Sequence, residues 1–179
     1  MEYTAITTIP HWGRVGVRVS PQGLTAVLWG ARVKDLAETP PGQPETPELQ
    51  ALRCAASQWL THLQAYFAGK RRTFPLPIAW ETLPRFKRRV LQAVAAIPYG
   101  ETRTYGQIAA AAGSPGAARA VGGAVAHNPM PIVIPCHRVV GHDGSLHGFS
   151  GPGGLTTKAR LLQLEGVPLV SRGDRLFVL

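Results

Sequence analysis

A mixed α/β fold of the α+β kind, with a small sheet and one helix leading into a mainly helical second unit, is what this sequence predicts. Three observations carry that prediction. Two short runs of β-friendly residues flank a turn near the N-terminus. Apolar residues then recur at helical spacing in two later stretches. Finally, two short capped helices follow one another closely enough to make a helix-turn-helix.

Residues 14–19 and 24–29 are the two strands, and Ser20, Pro21, Gln22 and Gly23 between them carry turn chemistry, so a hairpin is expected. Residues 39–47 hold four prolines and no apolar period, which predicts a surface loop. From Glu48 onward Leu49, Leu52, Ala56, Trp59, Leu60, Leu63 and Phe67 keep helical spacing until Gly69, a C-cap residue. Cys54 falls off that stripe and reads as a small filler or a partly exposed thiol. Pro75 and Pro77 then interrupt regular structure, which places a boundary between an N-terminal domain, 1–80, and a C-terminal domain, 81–179.

In the second domain Leu83, Phe86, Val90, Leu91, Val94 and Ile97 form one stripe, leaving Arg85, Lys87, Arg88 and Arg89 to face outward. Pro98, Tyr99 and Gly100 end that helix. Thr104 and Gln107 match a capping box that opens a helix at Tyr105, and Gly113 is expected to stop it. Ser114 as N-cap and Pro115 at the first helical position predict a second helix from 115 to about 127. Ile132, Val133 and Ile134 read as a strand limited by Pro135, which puts Cys136 at a strand's end. A glycine-rich loop over 141–154 leads to a helix from about 156 to 164, and the last five residues read as an edge strand.

Composition excludes several classes. Gly and Pro, 20 and 16 of 179 residues, stay below the level of low-complexity chains, and 45% hydrophobic residues can fill a core. No apolar stretch approaches the ~18 residues of a membrane helix, so no membrane partner is expected. Glu2 and the absence of a basic leader predict a cytoplasmic location, where Cys54 and Cys136 would stay reduced. The net charge of +9 is unevenly placed: residues 1–50 hold four bases and five acids, whereas 70–170 hold twelve bases and four acids. A basic second half favours a polyanion such as nucleic acid, through counterion release.

The stretch from 115 to 126 is Ala, Gly and Val apart from Pro115 and Arg119, so it offers base edges almost no hydrogen-bonding side chains. Its small face would suit close approach to a minor groove without sequence specificity, although the same residues also permit close helix packing. Arg119 is the one long side chain there, placed to enter a base stack, pair with a phosphate or form an ion pair. The sharpest signal is PCHRVVG at 135–141. A thiol near pKa 8.5 needs a base or a positive environment to act as a nucleophile, and His137 can supply one to Cys136. Adjacent residues in extended chain point to opposite faces, so contact requires a turn or, as favoured here, a bridging water. Glu165, at a helix C-terminus, opposes the helix dipole, which points to a role in orienting the imidazole.

Taken with IPYGETRTYGQIA at 97–109, ARAVGGAVAHNP at 118–129 and LLQLEG at 161–166, this motif resembles the O6-alkylguanine-DNA alkyltransferases, or methylated-DNA–protein-cysteine methyltransferases, over roughly residues 84–167. The N-terminal part matches more loosely, through AYFAGK and the LP near 76. The resemblance implies a ribonuclease-H-like small sheet with a helix, then a winged-helix or helix-turn-helix domain carrying the reactive cysteine. It implies a monomer that binds double-stranded DNA through the minor groove and flips out O6-alkylguanine, chiefly O6-methylguanine, with O4-methylthymine as a further substrate. The alkyl group would pass irreversibly to Cys136, with no cofactor and no metal. His137 would be the base through a bound water, Glu165 its partner, Asn128 a buttress of the active-site turn, and Tyr105 a donor to the guanine ring. Arg119 would fill the gap left by the flipped nucleotide, with Ser114, Ala118, Gly122 and Ala126 facing DNA. The Val139 backbone, Phe149 and Ser150 would line the base pocket. Leu91 stands where relatives often have tryptophan, Phe149 where some have tyrosine, and the loop over 151–154 is longer than usual. Three rival readings rank below alkyl transfer: a cysteine hydrolase on Cys136 and His137, a binding module without catalysis, and a zinc site from Cys136, His137, His142 and His147.

Overall fold

The protein is described here by a computed structural model covering residues 1–30, 33 and 46–179. It is a mixed α/β chain that divides into two compact units, Met1–Thr82 and Leu83–Leu179.

In the first unit β1 (Tyr3–Ile9), β2 (Gly13–Ser20) and β3 (Gly23–Trp29) form an antiparallel sheet in that order. The β2–β3 hairpin is the one expected from its turn residues. Gly23 is required there: its φ is +125°, and a Cβ would fall 2.4 Å from the Pro77 carbonyl oxygen. β1, a threonine-rich and half-buried strand, is an addition to the sequence expectation. α1 (Pro47–Phe67) is capped by the Thr46 hydroxyl, which accepts from the Leu49 amide, and it buries Leu49, Leu52, Ala56, Trp59, Leu63, Tyr66 and Phe67. Leu60 is only half-buried, and Cys54 is exposed. Residues 39–45 of the expected proline-rich loop lie outside the described residues.

The second unit begins with α2 (Arg85–Ala95), which buries Val90, Leu91 and Val94. β4 (Arg103–Thr104) pairs in parallel with β5 (Val139–Val140). α3 (Tyr105–Ala111) starts on a complete capping box: the Gln107 amide donates to Thr104 Oγ1, and the Thr104 amide donates to Gln107 Oε1. α4 is Ala118–Ala126 and begins three residues later than expected. Ser114 is no N-cap, because Gly116 adopts a left-handed φ of +84° and the Ala117 amide closes a turn onto the Ser114 carbonyl at 3.1 Å. The expected strand over 132–134 is also corrected. Ile132 has φ +75° and the Ile134 amide donates back to the Met130 carbonyl at 2.8 Å, so the stretch is a tight reversal. α5 (Gly154–Leu164) and the antiparallel pair β6 (Leu169–Arg172) and β7 (Arg175–Val178) complete the chain. Among the described residues no helix is long and apolar enough to cross a membrane.

Candidate active site

Cys136 opens a one-turn 3-10 helix, Cys136–Arg138, directly after the reversal. A β-branched residue at positive φ costs on the order of 1–3 kcal/mol and persists only where its surroundings over-determine it. Asn128 supplies that constraint at Ile132: buried, it donates from Nδ2 to the Ile134 carbonyl at 2.8 Å and accepts the Met130 amide on Oδ1 at 3.0 Å. The reversal and the 3-10 turn replace the strand end on which the sequence reading placed the cysteine.

The turn buries the two residues that follow Cys136. His137, fully buried, engages Glu165 Oε1 through Nε2 at 2.8 Å. Arg138 donates from Nε to Glu165 Oε2 at 2.8 Å, from Nη2 to Oε1 at 2.9 Å, and from Nη1 to the Ile97 carbonyl at 2.6 Å. The Gly100 amide adds a 3.1 Å bond to Oε2. Burial alone would raise the Glu165 pKa, but the hydrogen bonds from His137 and Arg138 bring it down to about 2. The imidazole is pushed the other way. Burial holds its pKa below the ordinary value, Glu165 opposes this, and the charges of Arg138 and Lys158 reinforce it. Burial, with the charges of Arg138 and Lys158 added to it, thus favours the neutral imidazole of His137, and Arg138 balances the charge of the carboxylate.

Lys158 is a fully buried lysine of α5, with Nζ donating to the Val139 carbonyl at 2.6 Å and the His147 carbonyl at 2.7 Å. Burial lowers its pKa to about 8, against the pull of Cys136. The Cys136 thiol is pushed up by burial, while a hydrogen bond from Asn128 and the Lys158 charge favour the thiolate. The sequence does not mark Lys158 or Arg138 as site residues by their type. Lys158 does carry a signal, since Lys158, Leu161, Leu162 and Glu165 share one face at helical spacing. Arg138 carries none beyond its place next to His137.

A cavity of about 300 Å³ brings Cys136 together with Tyr105, Gly122, Val125, Ala126, Gly148, Phe149 and Ser150. Burial, and then the neighbouring Cys136, raise the Tyr105 pKa, so the phenol keeps its proton. Of the sequence candidates, Tyr105, Gly122, Ala126, Phe149 and Ser150 therefore line one space with the thiol, while His137, Glu165 and Asn128 form the buried network of its turn. Val139 lines no part of this cavity: it is fully buried in β5, with its carbonyl engaged by Lys158. Ala118 and the exposed Arg119 stand at the start of α4 and Ser114 in the turn before it, none of them among the lining residues. Among the described residues, no three His, Cys, Asp or Glu side chains gather as a metal site would require.

Comparison with known proteins converges on one family. Residues 85–167 match the model of the 6-O-methylguanine DNA methyltransferase, DNA binding domain. The chain is 40% identical over 158 residues to a methylated-DNA–protein-cysteine methyltransferase of Mycobacterium tuberculosis, covering 87% of this chain and 92% of the relative. It is 46% identical over 123 residues to the constitutive methylated-DNA–protein-cysteine methyltransferase of Bacillus subtilis, covering 69% of each chain. Among solved structures, Mycobacterium tuberculosis OGT in complex with DNA superposes with a TM-score of 0.71 at 35% identity, over 92% of this chain and 93% of that one.

Proposed function

The chain belongs to the methylated-DNA–protein-cysteine methyltransferase family, and from that premise we propose that it repairs DNA by moving the alkyl group of O6-alkylguanine, chiefly O6-methylguanine, onto its own Cys136. The observation that carries this reading is the placement of Cys136 in a cavity with Tyr105, on a turn whose next residue is the buried, carboxylate-held His137. With Nε2 held by Glu165, the proton of the Cys136 thiol passes toward Nδ1 of His137 through a water. The thiolate attacks the alkyl carbon, a C–S bond forms as the carbon–O6 bond breaks, and the electron pair leaves on the guanine. The Tyr105 phenol donates a hydrogen bond to the ring as that charge develops and passes it a proton, which the one released from Cys136 replaces through solvent, so guanine leaves neutral. A thioether resists hydrolysis, so each molecule acts once.

Double-stranded DNA is the partner in this reading, supported by the DNA complex of the Mycobacterium tuberculosis relative. The small residues Ala118, Gly122 and Ala126, with Ser114 in the preceding turn, would approach the minor groove without sequence specificity, and O4-methylthymine would be a second lesion. Arg119, exposed at the start of α4, would occupy the stack vacated by the flipped nucleotide. The same reading assigns 1–80 to a ribonuclease-H-like domain and 81–179 to a winged-helix or helix-turn-helix domain, in a protein that works as a monomer in the cytoplasm without a cofactor. The test is a titration of duplex O6-methylguanine DNA. Restored guanine should plateau at one per protein molecule, and Cys136→Ala should restore none. Continued turnover past one equivalent would overturn the reading in favour of a hydrolytic enzyme.

A further inference from the structure

The basic residues of α2 take no part in the reaction described above. Arg85, Lys87, Arg88 and Arg89 fall within the first five residues of a helix that carries no acidic side chain. Arg85 and Arg89 are exposed one turn apart, with Arg88 half-buried beside them. Like charges at that spacing repel, and cations at a helix start oppose its dipole. Among the described residues none of the four is paired with a carboxylate. Lys87 is partly withdrawn, and burial lowers its pKa. The stripe therefore costs the isolated fold free energy that no ion pair among the described residues offsets.

Its position is equally specific. α2 packs against both α3 and α4, and Arg89 Nη2 donates to Ser114 Oγ at 3.4 Å. Ser114 belongs to the turn leading into α4, the helix whose Gly122, Val125 and Ala126 line the Cys136 cavity. Arg89 thus makes the basic stripe continuous with that turn.

We infer that Arg85, Arg88 and Arg89 form a second phosphate-binding surface, flanking the α3–α4 turn, that grips the backbone of duplex DNA whatever its sequence. This rests on the DNA-repair reading. Such contacts release counterions, with a salt slope of about 0.9 per phosphate neutralised. The experiment measures binding of an undamaged labelled duplex by fluorescence anisotropy across salt concentrations. It compares the natural chain, the triple variant Arg85→Gln, Arg88→Gln, Arg89→Gln, and Arg14→Gln, which removes one exposed charge from β2. The triple variant should show a slope shallower by about 2.7, equivalent to about 40-fold less of the affinity lost between 50 and 200 mM salt. It should melt no lower than the natural chain when DNA is absent. Should it fail to fold, Arg89→Gln alone is read the same way, with an expected change of about 0.9. An unchanged slope, or an equal loss per charge in Arg14→Gln, overturns the inference. A natural chain that does not bind duplex at all sinks the DNA reading itself.

Discussion

Glu165 faces a buried guanidinium and a buried imidazole with one carboxylate, and the acid-base behaviour of the site follows from that arrangement. Its folded pKa is about 2, so the stability it contributes is complete above its unfolded value of about 4.3 and is lost as pH falls through the folded one. His137 acts in the same direction. Its folded pKa lies below its unfolded value of about 6.5, so acidification below that point protonates the unfolded chain first. Denaturant midpoints should therefore decline as pH is lowered from 6.5 to 3, and a flat profile would contradict the buried cluster. Glu165→Gln leaves Arg138 a buried charge without its partner, for which a loss of about 3–5 kcal/mol is expected in urea unfolding. Lys158→Met keeps the aliphatic stem and removes the ammonium that favours the thiolate. Alkylation of Cys136 by iodoacetamide at pH 7 should slow, with the rate recovered at higher pH. Cys136, His137, Asn128 and Glu165 stand out in the sequence because their residue types announce chemistry. Lys158 and Arg138 do not, since bases are ordinarily solvated and their role here comes from carbonyls and a carboxylate gathered from distant segments.

At the scale of elements, local side-chain chemistry was readable and backbone conformation was not. The Thr104–Gln107 box is stated outright by its residues, and it sets where Tyr105 begins α3. Thr104→Ala should cost about 1 kcal/mol in thermal unfolding and lower the rate of alkyl transfer by displacing the phenol; a silent substitution would show that α3 is held by packing alone. Ser114 and Pro115 send the same kind of signal, yet Gly116 overrides it, because its left-handed φ lets the chain turn once more before α4 starts. The Ile132–Ile134 segment misled for a related reason. Three β-branched residues prefer a strand, but the Asn128 side chain occupies the Met130 amide and the Ile134 carbonyl and enforces a reversal against that preference.

For the whole molecule, the uneven charge was legible in advance, with the surplus concentrated between residues 70 and 170. Where those charges point was not, since Arg138 and Lys158 are buried whereas Arg85, Arg89 and Arg119 are exposed. The exposed set predicts duplex binding that weakens steeply with added salt, and binding indifferent to salt would contradict it. The chemistry asks less: one sulfur, set in a cavity of about 300 Å³, accepts one alkyl group and keeps it. Its most direct test is the intact mass of the protein after incubation with duplex O6-methylguanine DNA, followed by peptide mapping. The expected result is the addition of a single methyl group located on Cys136, and an unchanged mass, or a methyl group on any other residue, would contradict the account.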